Sequence, residues 1–78
     1  MQKTKVSVGQ VWQHYNGIEY VVVMIANLES KDIIKYPVQI IYSNIVTSSM
    51  WCRPLDDWHR SMTYMYDCLS PIEEIVNI

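Results

Sequence analysis

Trp51-Cys52-Arg53-Pro54-Leu55-Asp56-Asp57-Trp58 is the stretch from which the rest of the chain can be read. Up to Arg53 it is strand-like, and a strand is expected over Ser48–Arg53. Pro54 ends it, because proline brings no N–H to a ladder and fixes φ near the helical value. Leu55 then opens a helical turn, with Asp56 and Asp57 in the first turn, where carboxylates suit the helix dipole. Short strands with tight turns in a chain of this size mean a partly open barrel or a sandwich, and a helical turn before a closing strand fits an SH3-like barrel best.

Downstream of Trp58 two patterns overlap. Leu55, Trp58, Met62, Met65 and Leu69 recur at spacings of three and four, the stripe of an amphipathic helix. Thr63, Tyr64 and Tyr66 are better strand formers than helix formers. The expectation is one helical turn at Leu55–Arg60 and a fifth strand at Met62–Asp67, with a continuous helix as the alternative. Further on, Ser70-Pro71-Ile72-Glu73 has the form of a capping box with proline at the first helical position. A short C-terminal helix is expected there, and a helix of about eight residues needs a surface to dock on.

Upstream, Tyr36–Tyr42 reads as the third strand and Ser43–Thr47 as a turn. Asn27–Lys35 is polar and charged, a surface loop whose Ile33 and Ile34 either begin the next strand or plug the barrel end. Ile18–Ala26 is a second strand, apolar on both faces over Tyr20–Ile25 and expected to be buried on both. Tyr15-Asn16-Gly17-Ile18 predicts a type I′ hairpin turn joining it to a first strand at Gln10–Tyr15. The residues from Val6 to Gly9 are expected to form a loose arm.

The 78 residues make a single domain, 1–78, near the lower limit for an unaided core. Half are hydrophobic and 18% are charged, a globular balance. Phe is absent, so three Trp and six Tyr supply the large rings. A net charge of −2 argues against nucleic acid as a partner, since binding phosphates needs a surplus of Lys and Arg. The longest uncharged apolar run, Tyr20–Ala26, is too short to span a bilayer, and no membrane partner is expected. With no signal-peptide pattern after Met1, a cytoplasmic location and free thiols at Cys52 and Cys68 are expected.

Catalytic chemistry finds little support. Neither His14 nor His59 is paired with a cysteine by a known signature, and Cys52 inside a strand is an ordinary small apolar residue. No zinc spacing occurs, and Asp56 and Asp57 are more simply a helix start. On a helix those two would point about 100° apart, which keeps them from converging on one substrate atom. Two glycines cannot build a phosphate cradle. The expectation is no enzyme, no metal and no cofactor.

Binding is the stronger class. Trp12, Trp51 and Trp58, with Tyr15, Tyr20, Tyr36 and Tyr42, could line a groove for a planar ligand. Arg53 could grip a carboxylate or phosphate with two parallel N–H groups. The plainer reading is that the rings fill the core and Arg53 pairs with Asp56 or Asp57.

Gly9, His14-Tyr15-Asn16-Gly17 with Tyr20, Pro37-Val38 leading to Tyr42, and Trp51-Cys52-Arg53-Pro54-Leu55 with Trp58 together resemble a family. It is a group of short bacterial and phage proteins known as domain of unknown function 1653. Its members read G-x-Y-x-H-Y-K-G near the start and W-x-R-P-L-x-x-F near the end. The likeness covers about residues 8–58, leaving 62–78 as an extension without a counterpart. The chain departs from the pattern at Trp12, Asn16 and Trp58, and its first loop lacks the Arg-His the family often carries.

The resemblance implies a small SH3-like β fold and residence in phage or prophage genomes, with no established activity. Short phage proteins often bind a host protein or a defence signal, so a host-defence antagonist is one expectation. The expected architecture is mainly β: an SH3-like barrel of about five antiparallel strands, a helical turn after Pro54 and a short C-terminal helix. The expected function is non-enzymatic capture of a small, nucleotide-like ligand by Trp12, His14, Tyr15, Trp51, Arg53, Asp57 and Trp58. The alternative is a protein-interaction or self-associating module that binds a host protein. A homo-oligomer is expected in either case, since a small core gains from a partner surface.

Overall fold

The structure is a computed structural model that describes residues 4–68. Its elements follow in the order β1 (Gln10–His14), β2 (Glu19–Ala26), β3 (Gln39–Asn44), β4 (Met50–Pro54), α1 (Leu55–Ser61) and β5 (Met62–Asp67). The strands form one antiparallel sheet in the order β4-β3-β2-β1-β5. The fold is therefore mainly β, with the hairpin, loop, hairpin, helical turn and closing strand expected of a small SH3-like barrel. The helix expected after Ser70 lies outside the described residues.

The register shows why the sheet must curl. Pro54, where α1 begins, pairs with Gln39, which pairs with the Ala26 end of β2. Met62, where α1 hands over to β5, pairs with His14, beside the Glu19 end of β2. In a flat sheet those two points would lie about 30 Å apart, at roughly 4.8 Å per strand and 3.3 Å per residue. A seven-residue helix spans only about 12 Å from flank to flank. Only a sheet rolled on itself brings β4 and β5 within reach of α1.

The roll closes over a core of Val6, Trp12, Val22, Ile40, Tyr42, Trp58 and Met62, with Tyr20, Ile25, Leu55 and Tyr64 against it. Rings carry much of it. Tyr64, Trp12, Trp58, Tyr42 and Tyr20 form a continuous series of edge-to-face contacts with centroids 5.0–5.7 Å apart. In a chain without Phe, these rings bring N–H and O–H groups into the interior with them. Gln10 answers part of that need: its Oε1 accepts from Trp12 Nε1 at 3.0 Å and from the Ser7 N–H, and its Nε2 donates to the Lys5 carbonyl.

Several local expectations are corrected. The β1–β2 turn is not type I′, because Gly17 has φ 94° while Asn16 is not in the left-handed region. The Gly17 N–H donates to the His14 carbonyl and the His14 N–H to the Ile18 carbonyl, giving a three-residue connection with glycine at its end. The Asn16 side chain favours this form by accepting the Ile18 N–H. β3 begins at Gln39 rather than Tyr36, because the Tyr36 N–H turns back to the Asp32 carbonyl. That same turn leaves Ile33 and Ile34 exposed, so they neither start a strand nor plug the barrel. β4 starts two residues later than expected, at Met50, because Ser48 takes a φ of 63° in the turn.

β2 is not buried on both faces. A register shift between Val22 and Met24 leaves Val23 and Met24 exposed beside the fully buried Val22. Nor is the segment before β1 loose: Val6 is buried in the core, and the Thr4 carbonyl lies 2.9 Å from His59 Nε2.

Candidate functional site

α1 positions most of the candidate residues. Pro54 precedes its first residue and makes no side-chain cap, so Asp56 and Asp57 in the first turn carry the favourable interaction with the N-terminal dipole. Seven residues do not hold a helix alone. Trp58 holds this one, inserted at full burial between Trp12 and Tyr42. Trp12 and Trp58 thus spend both ring faces inside the core. Among the described residues neither ring faces an open groove, because burial of a large ring outweighs display in so small an interior.

The remaining candidates lie outside that core. Trp51 sits on the edge strand, 53% exposed, its Nε1 donating to Ser49 Oγ at 3.0 Å. Arg53 is two residues on, facing the same side, with its side chain 20% exposed. Its Nε is 3.7 Å from Asp57 Oδ2, four positions along the chain. That is an ion pair but longer than a hydrogen bond. Asp57 is instead committed to Arg60, whose Nε donates to its Oδ1 at 2.8 Å. This hydrogen bond is the chief reason the Asp57 carboxyl is held below the ordinary aspartate value and the Arg60 guanidinium above its own; Arg53 adds a smaller pull on Asp57.

Arg53 is consequently under-employed. Among the described residues its buried Nη1 has no hydrogen-bond acceptor. The buried Nε1 of Trp58 has none either. Tyr42 touches this region too: burial raises its hydroxyl pKa, and the nearby Arg53 charge pulls it back. Among the described residues two buried donors thus lack partners, a costly arrangement in a folded interior.

His14 and Tyr15 form a separate pair at the β1–β2 turn, their rings 4.2 Å apart. The Asn16 N–H points to His14 Nδ1. Tyr15 is almost fully exposed, and its backbone N–H donates to the Ser61 carbonyl at 3.1 Å, which ties this pair to the end of α1. The candidates therefore divide in three: Trp51, Arg53 and Asp57 around the start of α1, His14 and Tyr15 towards its end, and Trp12 and Trp58 beneath. Arg60, which takes most of the Asp57 carboxylate, was not singled out from the sequence. Its position three residues after Asp57 on a helix was the available signal.

Open hollows lie elsewhere. One of about 710 Å³ is formed by the β2–β3 loop from Asn27 to Asp32 with Tyr36. A smaller one of about 270 Å³ lies between Ile33, Pro37, Val38 and Leu55, with Asp56 at its margin. Neither is lined by Trp51, Arg53 or Asp57. No group of His, Cys, Asp and Glu able to hold a metal ion occurs among the described residues. Cys52 and Cys68 form no disulfide. No helix among the described residues is long and apolar enough to cross a membrane. Comparison with protein families, with characterised proteins and with solved structures found no match.

Proposed function

We propose that this chain is a small non-enzymatic binding protein that takes a ligand bearing a carboxylate or phosphate at Arg53. The observation that carries this reading is the Nη1 of Arg53, buried without an acceptor among the described residues, while Arg60 takes the hydrogen bond to the neighbouring carboxylate. A carboxylate or phosphate group supplies the missing acceptor, with two oxygens placed for the paired geometry that guanidinium favours. Trp51, exposed on the same side of β4, offers a ring for a planar group attached to that anion, as in a nucleotide. The resemblance to short phage proteins suggests the setting: capture of a host molecule, a defence signal among the options.

The test is native mass spectrometry of the protein purified from the cells that produce it. The expected spectrum carries extra mass that is lost on denaturation, and Arg53→Lys, which keeps the charge but loses the fork, carries none. Bare wild-type protein, or the same extra mass on a folded Arg53→Lys protein, would overturn the reading. A second reading, as a protein-interaction module, draws on the exposed apolar residues Ile33, Ile34 and Val46. A pull-down in which a triple Ser variant at those positions loses its partner would favour it.

A further inference from the structure

β4 ends the sheet, and its hydrogen-bonding groups can be assigned one by one. The Asn44 N–H donates to the Ser49 carbonyl and the Leu55 N–H to the Val38 carbonyl, both at 2.9 Å. With the register Tyr42↔Trp51 and Ile40↔Arg53, the alternation of an antiparallel ladder turns Trp51 and Arg53 towards β3. The backbone N–H and C=O of Met50 and Cys52 therefore point away from the sheet. Among the described residues no strand pairs with that edge. Met50, Trp51 and Cys52 are all exposed along it.

Natural edge strands are commonly guarded by a lysine, a bulge or a covering segment. From Met50 to Arg53 this edge carries no lysine, and β4 pairs with β3 without a register shift. Pro54 is the one interruption, and it stands at the end of the strand, where it limits how far a further ladder can run.

We infer that β4 pairs antiparallel with β4 of a second copy of this chain, about a two-fold axis passing between the two Cys52 residues. In that register the edge is self-complementary. The two Cys52 residues exchange N–H···O=C bonds, and each Met50 N–H meets the Pro54 carbonyl opposite, which needs no donor from proline. The same register sets each Trp51 across from the other copy's Arg53, on one face. These two form the closer, non-hydrogen-bonded kind of pair. An indole face opposite a guanidinium is an attractive pairing, and it needs one of each residue on each strand. A shift of two residues would put Arg53 opposite Arg53 or Trp51 opposite Trp51 and lose that match. The inference stands on the sheet edge and does not depend on a ligand at Arg53.

Hydrogen exchange of the full chain at two protein concentrations, read at the Met50 and Cys52 amides, tests it alongside sedimentation equilibrium. The expected result is a two-fold assembly with both amides slowing as concentration rises. Cys52→Glu sets two carboxylates across the axis and weakens the assembly by about tenfold or more, since like charges directly opposite repel. Fast exchange at every concentration would overturn the inference. So would slow exchange independent of concentration, which would mean that the edge is covered from within the same chain. A Cys52→Glu protein that folds and associates like the wild type would overturn it too.

Discussion

Two buried tryptophans that look alike in the sequence differ in what their N–H groups meet. Trp12 Nε1 donates to Gln10, and Trp58 Nε1 has no acceptor among the described residues. Replacing each by Phe removes similar volume but different chemistry. Trp12→Phe leaves the Gln10 oxygen one donor short, whereas Trp58→Phe removes an orphaned donor. Trp12→Phe is expected to be the more destabilising by about 1 kcal/mol, measured by urea unfolding of both variants. Asp57 makes a second expectation at this scale. Its carboxyl is held below the usual 3.8, chiefly by the Arg60 hydrogen bond. The stability it contributes is fully present above the ordinary aspartate value and is lost as pH falls through the lower folded value. Asp57→Asn should therefore unfold at a lower urea midpoint at pH 7, the difference shrinking as both proteins are taken below about pH 4. Arg53 was legible as a partner of Asp56 or Asp57, and the ion pair falls on Asp57, four positions on. The claim of Arg60 on the same carboxylate is equally local, three positions along α1, and was overlooked; the depth of Trp12 and Trp58 depends on which rings the closed sheet encloses. That is set by contacts far apart in the chain.

Element boundaries followed local chemistry where one residue dominates. Pro54 ended β4, and the β-branched and aromatic run Thr63–Tyr66 won over the helical stripe, so α1 stops at Ser61 and β5 begins at Met62. Turns were harder to read, because side chains within them choose between backbone forms. Asn16 and His14 together select the three-residue connection, and in the β3–β4 turn Asn44 Oδ1 accepts the N–H groups of Val46 and Thr47. At Gly17 the consequence can be measured. A Cβ there would meet nothing within 4 Å, so the only obstacle to a side chain is the φ of 94°. Gly17→Ala should cost about 1 kcal/mol from backbone strain, and Gly17→Asn less, since Asn tolerates the left-handed region. Thermal unfolding of the two variants side by side checks it.

At the scale of the whole molecule, the register carries the argument for a rolled sheet, and one short helix joins its two edges. The class of fold was legible because strand-like runs, tight turns and one proline-led helical turn in 78 residues leave few alternatives. What the rings do was not, since an aromatic residue on a strand serves a groove or an interior equally well until the sheet closes. The pairing of β1 with β5 has a mechanical side. The Gly9 carbonyl accepts the Cys68 N–H, next to the Gln10↔Asp67 pair, while the ladder finishes at His14↔Met62. The chain thus enters β1 and leaves β5 at the same end. Tension applied between residues 4 and 68 loads these hydrogen bonds in sequence, like the teeth of a zipper, and never all together as in shear. A pull applied there is expected to open the domain from the Cys68 end inward, at a lower force than the same hydrogen bonds would withstand in shear.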